Sequence, residues 1–253
     1  MTGRVERQLF DGVAATYDAC RPDYPPQLFD ALESALGQPL LRAEVMDVGA
    51  GTGIATRALA GRGSNVVAVD PGPGVLGLLR SRSTSRVRPV VADGNALPSR
   101  DAVFDLVTYA QSFHWTDPDL SVPEAARVLH DRGVLAVFWN LLMADGAPWW
   151  EGFTTEVRRL SPAYEPKARD TDWGQVLERS AAFRWVRKVE IPWVREVPVE
   201  DVVSDYSSHS YVADLSPRDR EGALETLRSG LLADFPGGSA RLPYVTRAWV
   251  ARR

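Results

Sequence analysis

Cysteine is almost absent from this 253-residue chain: Cys20 stands alone. That excludes an intramolecular disulfide and a cysteine-built zinc site. Lysine is nearly as scarce, with only Lys167 and Lys188 among 29 cationic residues. The arginines are scattered among carboxylates, and the net charge is −4, so the chain has no electrostatic footprint for nucleic acid or an anionic membrane. No apolar run nears the length of a bilayer span. The opening MTGRVERQLF lacks the apolar segment of a secretory signal, and internal repeats and low-complexity tracts are missing. These absences lead us to expect a cytoplasmic protein in a reducing compartment, without a nucleic-acid, membrane or metal partner. They leave its oligomeric state open.

What is present has a rhythm. EVMDV (44–48), NVVAVD (65–70), VRPVVA (87–92), FDLVTYA (104–110) and GVLAVFWN (133–140) are short β-branched or aromatic runs. Near-continuous apolar runs of this kind suit strands buried on both faces of a parallel sheet. Helix-like stretches lie between them, opened by proline or polar residues and closed by glycine. Strand–helix alternation predicts right-handed βαβ units and an open, doubly wound α/β sheet. After Asn140 the alternation gives way to a helix around 148–160, a strand over 183–194, a helix and turn over 199–216, a helix over 217–235 and a closing strand. No long linker interrupts this, and a single domain over 1–253 is expected.

The densest signal is VMDVGAGTG, where Gly49, Gly51 and Gly53 follow a predicted strand and precede a predicted helix. A glycine turn there bares backbone N–H groups at a helix N-terminus and lets a ligand approach closely. Asp70 ends the next predicted strand, where a carboxylate accepts hydrogen bonds from ribose hydroxyls. A dinucleotide fingerprint needs a third glycine or alanine that Ile54 and Thr56 do not supply. Asp47, two residues before the first glycine, would repel a pyrophosphate but favour a ligand carrying an ammonium and a sulfonium.

On these residues the chain resembles the class I S-adenosylmethionine (SAM)-dependent methyltransferases. VMDVGAGTG is similar to their first motif, VVAVD to the acidic end of their second strand, VADGNALP (91–98) to the third-strand motif and FDLVTYAQSFHW to the fourth. The opening FDGVAATYDACRPDYP resembles the lid of a small-molecule subgroup that includes trans-aconitate methyltransferase-like proteins. The resemblance implies a Rossmann-like, seven-stranded, mostly parallel sheet of order 3-2-1-4-5-7-6 with helical cap insertions. It divides the domain into a lid (1–35), a SAM-binding core (36–140) and substrate-cap insertions (141–182 and 197–238). It places Tyr17, Arg21, Asp47, Gly49, Ala50, Gly51, Asp70, Pro71, Asp93, Gly94, Asn95, Ala110 and Gln111 at the cofactor.

Methyl transfer from a sulfonium is an in-line displacement, so alignment and water exclusion matter more than a catalytic triad. A general base is needed only where the acceptor must lose a proton. His114, just past the fourth strand, is the first candidate and Tyr17 the second; His114 could instead wedge the next helix. For the substrate wall, the aromatic and polar residues near the carboxyl edge and in the cap are Phe113, His114, Trp115, Trp139, Trp149, Tyr206, His209 and Tyr211. YSSHSY (206–211) offers hydroxyls and an imidazole without a cation, which favours a neutral or amphipathic small metabolite, of secondary metabolism for example. The acceptor atom, O, N or C, stays open. The rival readings are a NAD-dependent oxidoreductase and a SAM-binding protein without methyl transfer: a sensor, a scaffold or a SAM-assisted cyclase.

Overall fold

A computed structural model of the chain describes residues 20–161 and 171–253. It contains a seven-stranded sheet of order β3-β2-β1-β4-β5-β7-β6, the order expected above. The strands are β1 (Glu44–Val48), β2 (Asn65–Asp70), β3 (Val87–Val91), β4 (Phe104–Ala110), β5 (Leu129–Leu142), β6 (Trp185–Pro198) and β7 (Ser239–Arg252). The pairs β1–β2, β1–β4, β2–β3 and β4–β5 are parallel. Between β6 and β7 the residue numbers run oppositely. Arg184 donates to the Arg252 carbonyl, Arg247 meets Glu190 at 2.7 Å, and Trp193 stacks on Tyr244. That edge is therefore antiparallel.

Burial follows position in the sheet. β1 and β2 are interior strands, and Val45, Met46, Val48, Val66, Val67, Ala68 and Val69 are all buried, as strands covered on both faces require. The two edge strands carry prolines, Pro89 in β3 and Pro192 in β6, where a missing N–H breaks no interior ladder.

The chain divides into two compact units. In the described residues the larger one takes in 23–141, 171–191 and 246–253. It holds β1 to β4, with helices α1 (Pro26–Leu36), α2 (Ile54–Gly61), α3 (Pro73–Ser81) and α4 (Pro118–Val128). Proline stands in the first turn of α1, α3 and α4, where its fixed φ suits helix entry and its absent N–H would have no partner anyway. Leu28, Phe29, Leu32 and Leu36 form the buried stripe of α1 at helical spacing.

The smaller unit takes in 20–22, 142–161 and 192–245. Its helices are α5 (Pro148–Leu160), then, beyond α6 (Trp173–Glu178) of the larger unit, α7 (Val199–Ser207), α8 (Ser210–Ala213) and α9 (Pro217–Asp234). Phe153, Val157, Val202, Leu227 and Leu231 centre its own core. The segment expected as one helix and a turn forms two short helices, because Ser208 and His209 bond back to Asp205 and Tyr206 and close α7. No helix among the described residues is long and apolar enough to cross a membrane.

Candidate functional site

The strand order reverses between β1 and β4, and in open α/β sheets ligands bind at the carboxyl edge of such a switch point. Backbone bonds gather the turns there. Gly49 and Ala50 N–H donate to the Val69 carbonyl at 2.8 and 3.0 Å, Ala92 to Asp70, and Gln111 to Phe138. Ser112 Oγ donates to the Val48 carbonyl at 2.5 Å.

The glycines of this turn do different work. Gly49 has φ +69°, and a Cβ built on it would lie 2.3 Å from Ser112 Cβ. Only glycine fits. Gly51 has φ +54°, and a Cβ there would meet nothing within 4 Å. Its N–H donates to Asp70 Oδ2 at 2.9 Å, while Gly72 N–H donates to Asp70 Oδ1 at 2.8 Å. One half-buried carboxylate thus ties the turn after β1 to the start of α3. Pro71 lies between Asp70 and Gly72 in the chain.

Asp47 has another place. It is fully buried beneath the turn, accepting from Thr56 Oγ1 at 2.5 Å and Thr108 Oγ1 at 2.7 Å. Burial pushes its pKa up to about 6, against the two hydroxyl bonds that lower it. Its carboxylate braces β1, α2 and β4 from inside. At the end of β3, Asp93 is exposed and accepts from Asn95 N–H at 2.9 Å. Asn95 Oδ1 accepts from Asp117 N–H at 2.8 Å. Gly94 packs so closely on Val48 and Thr116 that a Cβ would lie 3.0 and 3.1 Å from them. Ala110 closes β4, and Gln111 takes a left-handed φ of 58° as the chain turns away.

Beyond Gln111, residues Phe113–Trp115 make one 3-10 turn. Phe113 is buried against Tyr109 and Trp173, while Trp115 is 53% exposed. His114 is half-buried. Trp139 Nε1 donates to its Nδ1 at 3.3 Å, and burial lowers its pKa to about 4. Trp139 itself is 1% exposed, stacked on Trp173 at 5.5 Å and edge-on to Trp249 at 5.9 Å.

In the smaller unit, Trp149 and Tyr206 are core residues. His209 stacks on Tyr206 with centroids 4.8 Å apart, and Tyr211 tilts against His209 at 5.2 Å. No motif marks the buried carboxylate beside them. Asp205 lies 3.2 Å from Arg21 Nε, 3.2 Å from Arg195 Nη1 and 3.6 Å from His209 Nε2. Arg195 also donates to the Cys20 carbonyl. Burial pushes the Asp205 carboxyl upward, but Arg21, His209 and Arg195 outweigh it and hold the group below its usual range. Burial and Arg21 lower the His209 pKa to about 4, against the pull of Asp205. Guanidinium groups therefore do reach YSSHSY, delivered by β6 and by the segment before α1. Tyr17 lies outside the described residues.

Comparison with known proteins agrees with the fold. Residues 46–137 match the family model described as a methyltransferase domain. An uncharacterized methyltransferase of Mycobacterium tuberculosis is 33% identical over 244 residues, covering 94% of this chain and 92% of its own. An uncharacterized methyltransferase-like protein of Schizosaccharomyces pombe is 28% identical, covering 87% and 85%. Among solved structures, a Haemonchus contortus phosphoethanolamine N-methyltransferase, in complex with phosphomonomethylethanolamine and S-adenosylhomocysteine (SAH), superposes with a TM-score of 0.57 at 16% identity. It covers 98% of this chain and 60% of that one. With its strand order, glycine turn and near full-length relatives, the chain belongs to the class I SAM-dependent methyltransferase family.

Proposed function

We propose that this protein transfers a methyl group from SAM to an O, N or C atom of a small-molecule metabolite. The observation that carries the reading is the open backbone at Gly51 with the Asp70 carboxylate bonded beside it. A side chain at Gly51 would fill that space, and an acidic group at the tip of β2 matches vicinal ribose hydroxyls better than phosphates.

SAM, when bound, supplies an electrophilic methyl on a good leaving group. The protein's share is binding and alignment. Gly49, Ala50 and Gly51 offer backbone, Asp70 and Pro71 face the ribose, and Asp93, Gly94 and Asn95 take the adenine. Ala110, Gln111, Arg21 and Tyr17 take the methionine end. Asp47 acts through Thr56 and Thr108, keeping the glycine turn in register. On the acceptor side, Trp115, His114, His209 and Tyr211 keep exposed surface. Phe113 and Trp139 are core packing of the larger unit, and Trp149 and Tyr206 are core packing of the smaller one. Tyr17 stays a candidate beside His114 for contact with the reacting atoms. The two guanidiniums that reach YSSHSY are paired with the buried Asp205, so the aromatic faces still suit a neutral or amphipathic metabolite.

Two measurements test the reading. Isothermal titration with SAH and with NADH separates donor classes, and NADH binding without SAH binding would overturn the proposal. Asp70→Ala removes the acceptor of Gly51 and Gly72 and should weaken SAH by roughly 30-fold or more, the equivalent of about 2 kcal/mol for charged hydrogen bonds. Incubation of metabolite extracts with methyl-labelled SAM should then yield a labelled small molecule.

A further inference from the structure

We propose that Trp139 fixes His114 as the Nε2–H tautomer, so that His114 serves the methyl acceptor as a hydrogen-bond donor to a carbonyl or carboxylate oxygen, not as a general base. The identity of the partner rests on the methyltransferase reading; the tautomer rests on geometry alone.

An indole nitrogen can only donate. With Trp139 Nε1 3.3 Å from His114 Nδ1, Nδ1 must be the acceptor, and the ring proton of the neutral imidazole sits on Nε2. The indole is held there by Trp173 on its face and Trp249 at its edge. It is a positioning group in the sense that its own bond decides which nitrogen of its neighbour carries hydrogen.

The second nitrogen is available. The Trp139 bond is the one hydrogen bond His114 makes among the described residues, and Nε2 is not one of the buried polar atoms left without a partner. On a half-buried ring, that leaves Nε2 reachable from solvent. The ring lies three residues past Gln111 at the end of β4, and the exposed Trp115 lies 4.9 Å from it. An aromatic wall thus adjoins a donor at the carboxyl edge.

A base needs an accessible nitrogen with a free lone pair. In this tautomer the lone pair is on Nδ1, where the indole proton occupies it. Protonating Nδ1 would break that bond in a low-dielectric setting, and the lowered pKa agrees. What His114 can offer a ligand is N–H, and the complement of N–H is an oxygen with a lone pair: a carbonyl or a carboxylate next to the methyl-accepting atom.

Long-range proton–nitrogen NMR of the whole protein saturated with SAH tests this, with the His114 signals assigned by their loss in His114→Gln. Wild type should show one Nε2–H form that does not titrate between about pH 5 and 8. Trp139→Phe, which removes the indole N–H, should give mixed tautomers. A wild-type Nδ1–H form, or a midpoint between those pH values, would overturn the proposal. In the labelled-methyl assay, His114→Gln keeps an N–H near the Nε2 position without a basic nitrogen and should turn over within about threefold of wild type. His114→Ala should lose about tenfold, the equivalent of one hydrogen bond. Equal loss in both variants would mean a base, and equal retention a mere wedge; either result refutes the donor role. If wild type labels nothing, the methyltransferase reading fails, and the spectra still decide the tautomer.

Discussion

Asp47 and Asp205 are both buried aspartates, and their surroundings drive them in opposite directions. Asp47 has two hydroxyls and no cation, and its folded pKa of about 6 lies above that of an unfolded aspartate. The folded state therefore binds this proton more readily than the unfolded state. The contribution is fully present below about pH 4 and is lost as pH rises through about 6. Above that, the ionised carboxylate is a standing burden on the order of 3 kcal/mol. Asp47→Asn should relieve it: the urea midpoint should rise at pH 8 and hardly change at pH 4. An equal midpoint shift at both pH values would contradict this account. Asp205, flanked by two guanidiniums, is depressed instead. Its contribution is present above the unfolded pKa and fades as pH falls through the folded one. Mild acid thus unburdens Asp47 while leaving Asp205 intact, and only stronger acid, below the usual carboxylate range, weakens the second.

At the scale of the element, the glycine turn predicts a separation of stability from binding. Gly49→Ala forces a Cβ against Ser112, which its hydroxyl holds to β1, and should cost about 2 to 4 kcal/mol in unfolding free energy. Gly51→Ala meets no atom and should cost only about 1 kcal/mol, from its left-handed φ. Its SAH affinity should nevertheless collapse. Denaturant melts beside SAH titrations check the pair, and a Gly51→Ala protein that binds SAH normally would remove the reason for the open face.

The same elements explain what could be read in advance. β1, β2 and β4 are interior strands, so their runs are mostly apolar and stand out against the polar turns. Glycine and aspartate recur at the turns because the backbone conformation demands them. The Asp205 cluster had no such mark. Arg195 lies on an edge strand whose alternation gives no hint of a buried partner, and Arg21 comes from far away in sequence. Asp47 shows a different limit: its spacing marked it as important, but spacing cannot tell a carboxylate that faces the ligand from one sealed beneath the turn. The cap aromatics divide likewise, since Trp149 and Tyr206 pack inward while Tyr211 keeps exposed surface.

Across the whole molecule, cofactor binding should appear as linkage. SAH at a hundred times its dissociation constant adds about 2.7 kcal/mol to the folded state, which in a chain of this length raises the melting temperature by about 5 to 10 °C. NADH at the same concentration should leave the melting temperature unchanged, and calorimetry distinguishes the two directly. One further property belongs to the molecule as a whole. Both outer strands of the sheet are interrupted by proline, Pro89 on one side and Pro192 on the other, and β6 also sets Arg187, Lys188 and Glu190 along its length. A foreign strand laid alongside either border would find the ladder broken and, on the β6 side, charge set against it. Among the described residues, both borders of the sheet thereby resist growth by strand addition.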